Sequence, residues 1–352
     1  MGASEVWYEP ADVVILTGAG FTKTFGGYLA REMWSALFNQ PEIQADSEIR
    51  ECMLSAETLS FESIYEEIME PGKYNHNQKS GLTSALRRVY DDMDNNICQG
   101  AKEWATGCRF FFARFPEFVG DRQRVFFFTL NQDLFIERFY TEVGDTKTTM
   151  RLSGLQQRPE WFKFDVGFKP IGDKRVCLPD DAAVDKLKQQ FWKKGTGRFM
   201  YVKLHGSWGW RSQDGSDAMV IGHGKKGRIE NEPLLRWYNS LFKEVLTAGK
   251  RKLIVIGYGF RDDHINEVIA KAIDENDLEL HAICPMEPQE FRDHVLRAGM
   301  PVHGVNVLPD PFCGQIWKGL RSYESCTVKE LYSYRSMQIP SRGKSFFQRL
   351  GL

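Results

Sequence analysis

The sequence predicts an α/β fold: a Rossmann-like, mostly parallel sheet with helices on both faces, plus a helical insert subdomain. Three observations predict it. Four short apolar runs, Val13–Leu16, Val125–Phe128, Phe199–Leu204 and Leu253–Ile256, lack the polar alternation of a half-exposed strand and read as strands covered on both sides. Each run stops abruptly in a cluster of glycine or polar residues. Segments of helical period follow these stops, the order expected of parallel strands joined by helical crossovers.

The first unit, Ala11 to Leu37, sets the pattern. Val13-Val14-Ile15-Leu16 leads into Thr17-Gly18-Ala19-Gly20, where two glycines permit a sharp turn and close approach of a ligand to peptide N–H groups. A helix is expected next, with Leu29, Met33, Trp34 and Leu37 on one face. The full dinucleotide fingerprint is not met, because Lys23 stands where a third glycine belongs. From Pro41 to Phe118, apolar spacing such as Phe61, Ile64, Tyr65, Ile68 and Leu82, Leu86, Tyr90 predicts a helical insert (41–118), with a polar break from Pro71-Gly72 to Ser80-Gly81.

The second strand, Val125–Phe128, delivers Thr129-Leu130-Asn131-Gln132-Asp133 ahead of a helix from about Leu134 to Tyr140. Helix capping accounts for one polar residue there. Residues 144–198 read as a loop-rich insert with a short helix near Asp185–Trp192 and a basic end, Lys193-Lys194. The third strand brings His205-Gly206-Ser207 to its carboxyl end, and Gly222–Gly227 reads as a plain loop. Leu234–Leu246 is an amphipathic helix. Leu253–Ile256 turns through Gly257-Tyr258-Gly259-Phe260 into a helix carrying Ile265, Val268, Ile269, Ala272 and Ile273 on one stripe. Asp262 and Asp263 at its start suit the helix dipole and disfavour a phosphate there. Strands at Leu280–Cys284 and Val302–Val307 flank a helix at Glu287–Ala298.

The totals narrow the function classes. At 352 residues, 42% hydrophobic and 13% aromatic, the chain has material for a large core. A net charge of -1 gives no global field for nucleic acid. The basic residues concentrate at the end, where 321–352 holds six Lys or Arg against Glu324 and Glu330 and reads as a basic C-terminal tail after a 1–320 α/β domain. No apolar run reaches the ~20 residues of a membrane span. The opening MGASEVWYEP lacks a signal-peptide pattern. Seven cysteines are scattered without a C-x-x-C pair, which points to reduced thiols and a cytoplasmic location.

Four turns therefore occupy four strand ends: GAGFT (18–22), TLNQD (129–133), HGS (205–207) and GYGF (257–260). In this order they resemble the sirtuin superfamily, whose pattern is G-A-G-x-S, T-x-N-x-D, a catalytic H-G and a later glycine turn. Thr22 stands for the serine. GAGFTKTFGGYLAREMW and IGYGFRDDHINEVI resemble the prokaryotic sirtuin-like NADases of anti-phage defence more than lysine deacylases. The four-cysteine zinc module of deacylases is missing, since 144–198 holds only Cys177; the Phe-Arg pair after the first turn is absent, and Leu130 replaces a glutamine.

The resemblance implies NAD+ as substrate, no zinc, and cleavage of the nicotinamide–ribose bond through an oxocarbenium-like charge. It implies that Asn131 orients ribose or water, Asp133 contacts the nicotinamide carboxamide, and His205 acts as general base. The backbone N–H groups of Ala19 and Gly20, with Thr22, would hold the pyrophosphate, Gly257, Tyr258, Gly259 and Phe260 would lie on the adenosine side, and Gly18, Phe21, Thr129, Gly206 and Ser207 would complete the cofactor-binding set. The expected activity is an NAD+ glycohydrolase acting as a defence effector by NAD depletion, kept silent until triggered by assembly or by a partner such as a HerA-type ATPase. A homo-oligomer is expected. An NAD- or ADP-ribose-binding scaffold is the alternative; a deacylase and a nucleic-acid-binding role stand further back.

Overall fold

A computed structural model describes residues 7–57, 59–101, 105–139, 150–152, 176–193, 198–222, 224–297, 311–332 and 339–352. Seven parallel strands form the central sheet: β1 (Glu9–Thr17), β2 (Gln123–Thr129), β3 (Met150–Leu152), β5 (Phe199–Lys203), β8 (Lys252–Ile256), β9 (Glu279–Ile283) and β10 (Leu320–Glu324), in the order β10-β9-β8-β1-β2-β5-β3. A second sheet holds β4 (Val176–Cys177), β6 (Gly206–Arg211) and β7 (Asp217–Met219).

Alternation along the strands sorts the core into two layers, one on each face. Val13, Ile15, Val125, Phe127, Phe199, Tyr201, Ile254 and Ile256 face one cluster with Phe61, Ile64, Leu82 and Phe112 from the helical insert. Val14, Leu16, Phe126, Phe128, Met200, Val202, Leu253 and Val255 face the other, against Leu241, Phe242, Ile265 and Ile269. Both faces are thus buried, which is why these runs are continuously apolar. The insert (Pro41–Ala45, Ser47–Ser55, Phe61–Met69, His76–Ala101 and Ala105–Glu117) is a cover packed on the sheet.

Register brings four strand ends level. Thr17 pairs with Thr129 and with Ile256, and Thr129 pairs with Lys203. The Thr17 hydroxyl donates to the Thr129 hydroxyl across 2.8 Å. Residues 18, 130, 204 and 257 consequently leave the sheet on one row, and the residues predicted as functional, Thr129 excepted, lie beyond it.

Several local expectations change. The first turn opens a single helical turn, Ala19–Lys23, and the amphipathic helix waits until Ala30–Phe38. The polar break of the insert closes sooner than expected, because Asn75 caps the helix His76–Ala101 by accepting from the Gln78 N–H at 3.0 Å; Ser80 and Gly81 lie inside that helix. Gly206 and Ser207 open a further strand, β6, directly after His205. Gly222–Gly227 is only partly loop, since Lys225–Asn231 is helical. The short helix near 185 spans Asp181–Phe191, started by Asp180 accepting from the Ala183 N–H. The strand expected at Val302–Val307 and most of 144–198 lie outside the described residues. Within 321–352, most of β10 joins the sheet, while Phe346, Phe347 and Leu350 are buried against the insert side.

Candidate active site

Two of the strand ends are glycine turns that pack against each other. The Gly18 N–H donates to the Ile256 carbonyl at 3.1 Å and the Gly20 N–H to the Gly257 carbonyl at 2.9 Å. A Cβ on Gly20 would lie 2.8 Å from Gly257 Cα, and one on Gly257 would lie 2.3 Å from the Phe21 nitrogen. Gly257 also has φ +62. The glycines are required here by backbone-to-backbone approach. In this conformation the Gly20 N–H, expected to face a pyrophosphate, is already engaged.

Asn131 bridges the first turn to the second. Its side-chain amide donates to the Gly18 carbonyl at 2.9 Å and to Thr22 Oγ1 at 3.3 Å, and its own N–H is held by Thr129 Oγ1 at 3.0 Å. Asp133 caps the helix Phe135–Phe139 by accepting from the Phe135 N–H at 3.0 Å. Its burial, only partly offset by Lys203, raises its pKa to about 6. Lys203 fixes this turn from below: its ammonium pairs with Glu137 at 2.7 Å and donates to the Asp133 carbonyl.

His205 stands at the end of β5, 4% exposed. Its Nε2 lies 3.1 Å from His264 Nε2 and 3.9 Å from Asp262 Oδ1. Burial lowers its pKa to about 3, Asp262 opposing and Lys225 and His264 reinforcing. Burial would raise Asp262, but His205 and Lys225 hold it below the usual carboxylate range. Lys225, in turn, pairs with Asp262 at 2.6 Å and with Glu62 of the insert at 3.0 Å. Despite burial these two carboxylates raise its pKa.

Ala19, Thr22, Asn131, Asp133 and His205 share one cavity of about 130 Å³, roofed by Tyr28, Met33, Phe61, Glu62, Tyr90 and Met93 of the first turn's continuation and the insert. A wider open groove of about 610 Å³ lies on the insert surface between Glu66, Glu70, Lys73 and Arg228. None of the strand-end residues reaches that groove, so its size carries no weight for the chemistry.

Other expected residues do not line the cavity. Phe21 is core, edge-on to Phe25, Phe112 and Phe135. Thr129 braces the two strand ends, and Ser207 is fully buried with its hydroxyl 3.4 Å from Glu137 Oε1. Gly206 is needed for shape: its φ is +74 and a Cβ would come within 1.9 Å of the Ala218 carbonyl oxygen. Gly257 and Tyr258 pack against the first turn, the Tyr258 hydroxyl donating to Asn266 Oδ1 at 3.0 Å, while Gly259 faces His294 and Phe260 packs on Tyr258 and Phe291. Sequence reasoning missed Glu62, Gln132, Lys225 and His264 and saw in Asp262 only a dipole partner. Gln132 lay inside the quoted TLNQD motif; its amide donates to the Val220 carbonyl at 2.8 Å and its oxygen accepts from Tyr90.

No helix among the described residues is long and apolar enough to cross a membrane. The described cysteines are all free, and only Cys177 is exposed. A search of curated proteins finds no relative of significant similarity. The family model for the SIR2-like domain, by contrast, matches residues 125–298, a span that starts at β2 and contains Asn131, Asp133, His205, Asp262 and His264. Over that span the chain is similar to the SIR2-like domain, a similarity that supports a relation to the sirtuin-like superfamily.

Proposed function

We propose that the protein is an NAD+ glycohydrolase, releasing nicotinamide and ADP-ribose. One observation carries the reading: Asn131, Asp133 and His205, from two neighbouring strand ends, meet the GAG turn around a single cavity. Departure of nicotinamide takes the C–N bonding pair with it and leaves cationic character on the ribose. A water then forms the new C–O bond, and its proton passes to His205 Nε2. Asn131 holds that water or the ribose, while Asp133 meets the carboxamide. His205 is neutral at physiological pH, as a proton acceptor must be.

Two features favour a resting, silenced state for such an enzyme. About 130 Å³ is less than the several hundred Å³ that ligand sites offer. His205, with its pKa near 3, is a weak base until water or substrate reaches it. These fit a toxic effector that depletes NAD on infection and is released by self-assembly or by a partner, for which a HerA-type ATPase is our candidate. The same closed cavity is the one observation that favours the alternative, an NAD- or ADP-ribose-binding scaffold with little turnover.

The test is nicotinamide release from NAD+ by the wild-type chain, His205→Ala and Asn131→Ala, alone and with a candidate partner. The expected loss is about 10²-fold or more in each variant. Equal turnover in all three rejects the assignment, and saturable binding without release in every assembly favours the scaffold.

A further inference from the structure

We infer that His205, Asp262 and His264 form a binding site for a divalent transition-metal ion of the zinc type, and that an ion bound there takes His205 Nε2 out of use as a base. One donor atom from each of the three lies within 4.8 Å of the others, and no other group of three His, Cys, Asp or Glu side chains closes to this spacing among the described residues. The two separations from His205 Nε2, 3.1 Å to His264 Nε2 and 3.9 Å to Asp262 Oδ1, bracket the spacing of about 3.3 Å between ligands of a tetrahedral zinc ion. Two imidazoles and a carboxylate suit zinc, cobalt, nickel or copper and not magnesium.

The setting is prepared for such an ion. His205 is fixed by the end of β5, whereas Asp262 and His264 sit at the start of the helix Asp263–Asn276, so the donors come from two braced elements. The His205 side chain is buried beside His264, and each imidazole in its neutral form offers one lone pair to a metal. Glu62, Asp262 and Lys225 leave one net negative charge beside them. The Lys225 ammonium, 2.6 Å from Asp262 Oδ1, is the cation the metal must compete with. Metal binding therefore opposes the tie between Lys225 and Asp262. The inhibitory half of the inference rests on the role proposed for His205; the binding half does not.

The experiment titrates the full chain, without NAD+, with Co2+, following its visible absorption, and repeats the measurement by equilibrium dialysis with Zn2+. The wild type should take up one equivalent at this site. His264→Gln and Asp262→Asn should weaken that uptake by about 100-fold. Lys225→Met, lacking the competing ammonium, should bind about tenfold tighter, an effect that misfolding cannot produce. Absence of uptake by the wild type at millimolar Co2+, uptake unchanged in His264→Gln, or loss of uptake in Lys225→Met overturns the site. Zn2+ bound at this site that leaves nicotinamide release unslowed overturns the inhibitory half alone.

Discussion

Replacing Lys203 with Met probes what holds the Asn131–Asp133 turn in place. The Lys203 and Glu137 side chains are both 0% exposed and 2.7 Å apart, so removing the lysine leaves a buried carboxylate without its counter-ion. Breaking such a pair from one side costs about 3–5 kcal/mol. At about 2.1 cal/mol/K per residue, 352 residues give an unfolding entropy of about 0.7 kcal/mol/K, so Tm should fall by about 4–7 °C. Lys203→Met/Glu137→Gln removes the stranded charge yet keeps an acceptor for the Tyr201 hydroxyl, which bonds Glu137 Oε2 at 3.0 Å. It should regain roughly half of the loss. Urea and thermal unfolding of the wild type and the three variants complete the cycle. A cost under about 1 kcal/mol for Lys203→Met, or a double variant as unstable as the two single losses added, refutes the buried-pair argument.

Two further outcomes follow from the same geometry. Asp133 has a pKa of about 6 in the folded chain against about 3.9 unfolded, so its contribution is intact below about pH 4 and is lost as pH rises through 6, a cost of about 3 kcal/mol at pH 8. Asp133→Asn should therefore be the more stable protein at pH 8 with the gap closing toward pH 4; a gap independent of pH rules the argument out. Gly206→Ala and Gly215→Ala both place alanine at positive φ, +74 and +83, but only the first meets backbone, at 1.9 Å, while the second faces open space. Gly215→Ala should cost about 1–2 kcal/mol and Gly206→Ala clearly more, as measured by urea midpoints.

The parts of this molecule legible in the sequence were those set by short-range physics. Val13–Leu16, Val125–Phe128 and Leu253–Ile256 declared themselves because a strand buried on both faces has no polar alternation. Their carboxyl ends marked the site because parallel register puts such ends on one edge. Glycines were legible as turns, but not why: Gly18, Gly20 and Gly257 exist for each other's backbone, a contact between residues some 240 apart in the chain. The burial of the Phe21 ring was not legible, because its motif position said nothing of the aromatic cluster it completes with Phe25, Phe112 and Phe135. Lys225, Glu62 and Asp262 were opaque for a similar reason. Lys225 fell in what read as a plain loop, Asp262 read only as a dipole partner and Glu62 carried no signal, and only the tertiary fold brings the three together over His205.

That charge cluster also ties the insert down over the cavity. Glu62 belongs to the insert helix Phe61–Met69, Lys225 to the helix that follows β7, and Asp262 to the turn after β8, so the two ion pairs staple three separate elements above the strand ends. The apolar roof, Phe61 and Met93 of the insert with Met33 of the helix Ala30–Phe38, lines the cavity, so access to it is predicted to need displacement of the insert. Glu62→Gln cuts the insert from the staple and leaves Lys225 with Asp262, so His205 keeps its surroundings. Glu62 is about one-third exposed (30%), and screening limits the loss to about 1 kcal/mol, or roughly fivefold in the closed-to-open ratio. NAD+ binding should then tighten by up to that factor, because a site competent only when open pays for opening in its apparent affinity. The readout is NAD+ affinity by calorimetry alongside the rate of hydrogen exchange in residues 61–69, which should rise in the variant without ligand. Faster exchange with unaltered affinity would mean that the insert does not gate the cavity; unaltered exchange would mean that the ion pair does not hold it shut.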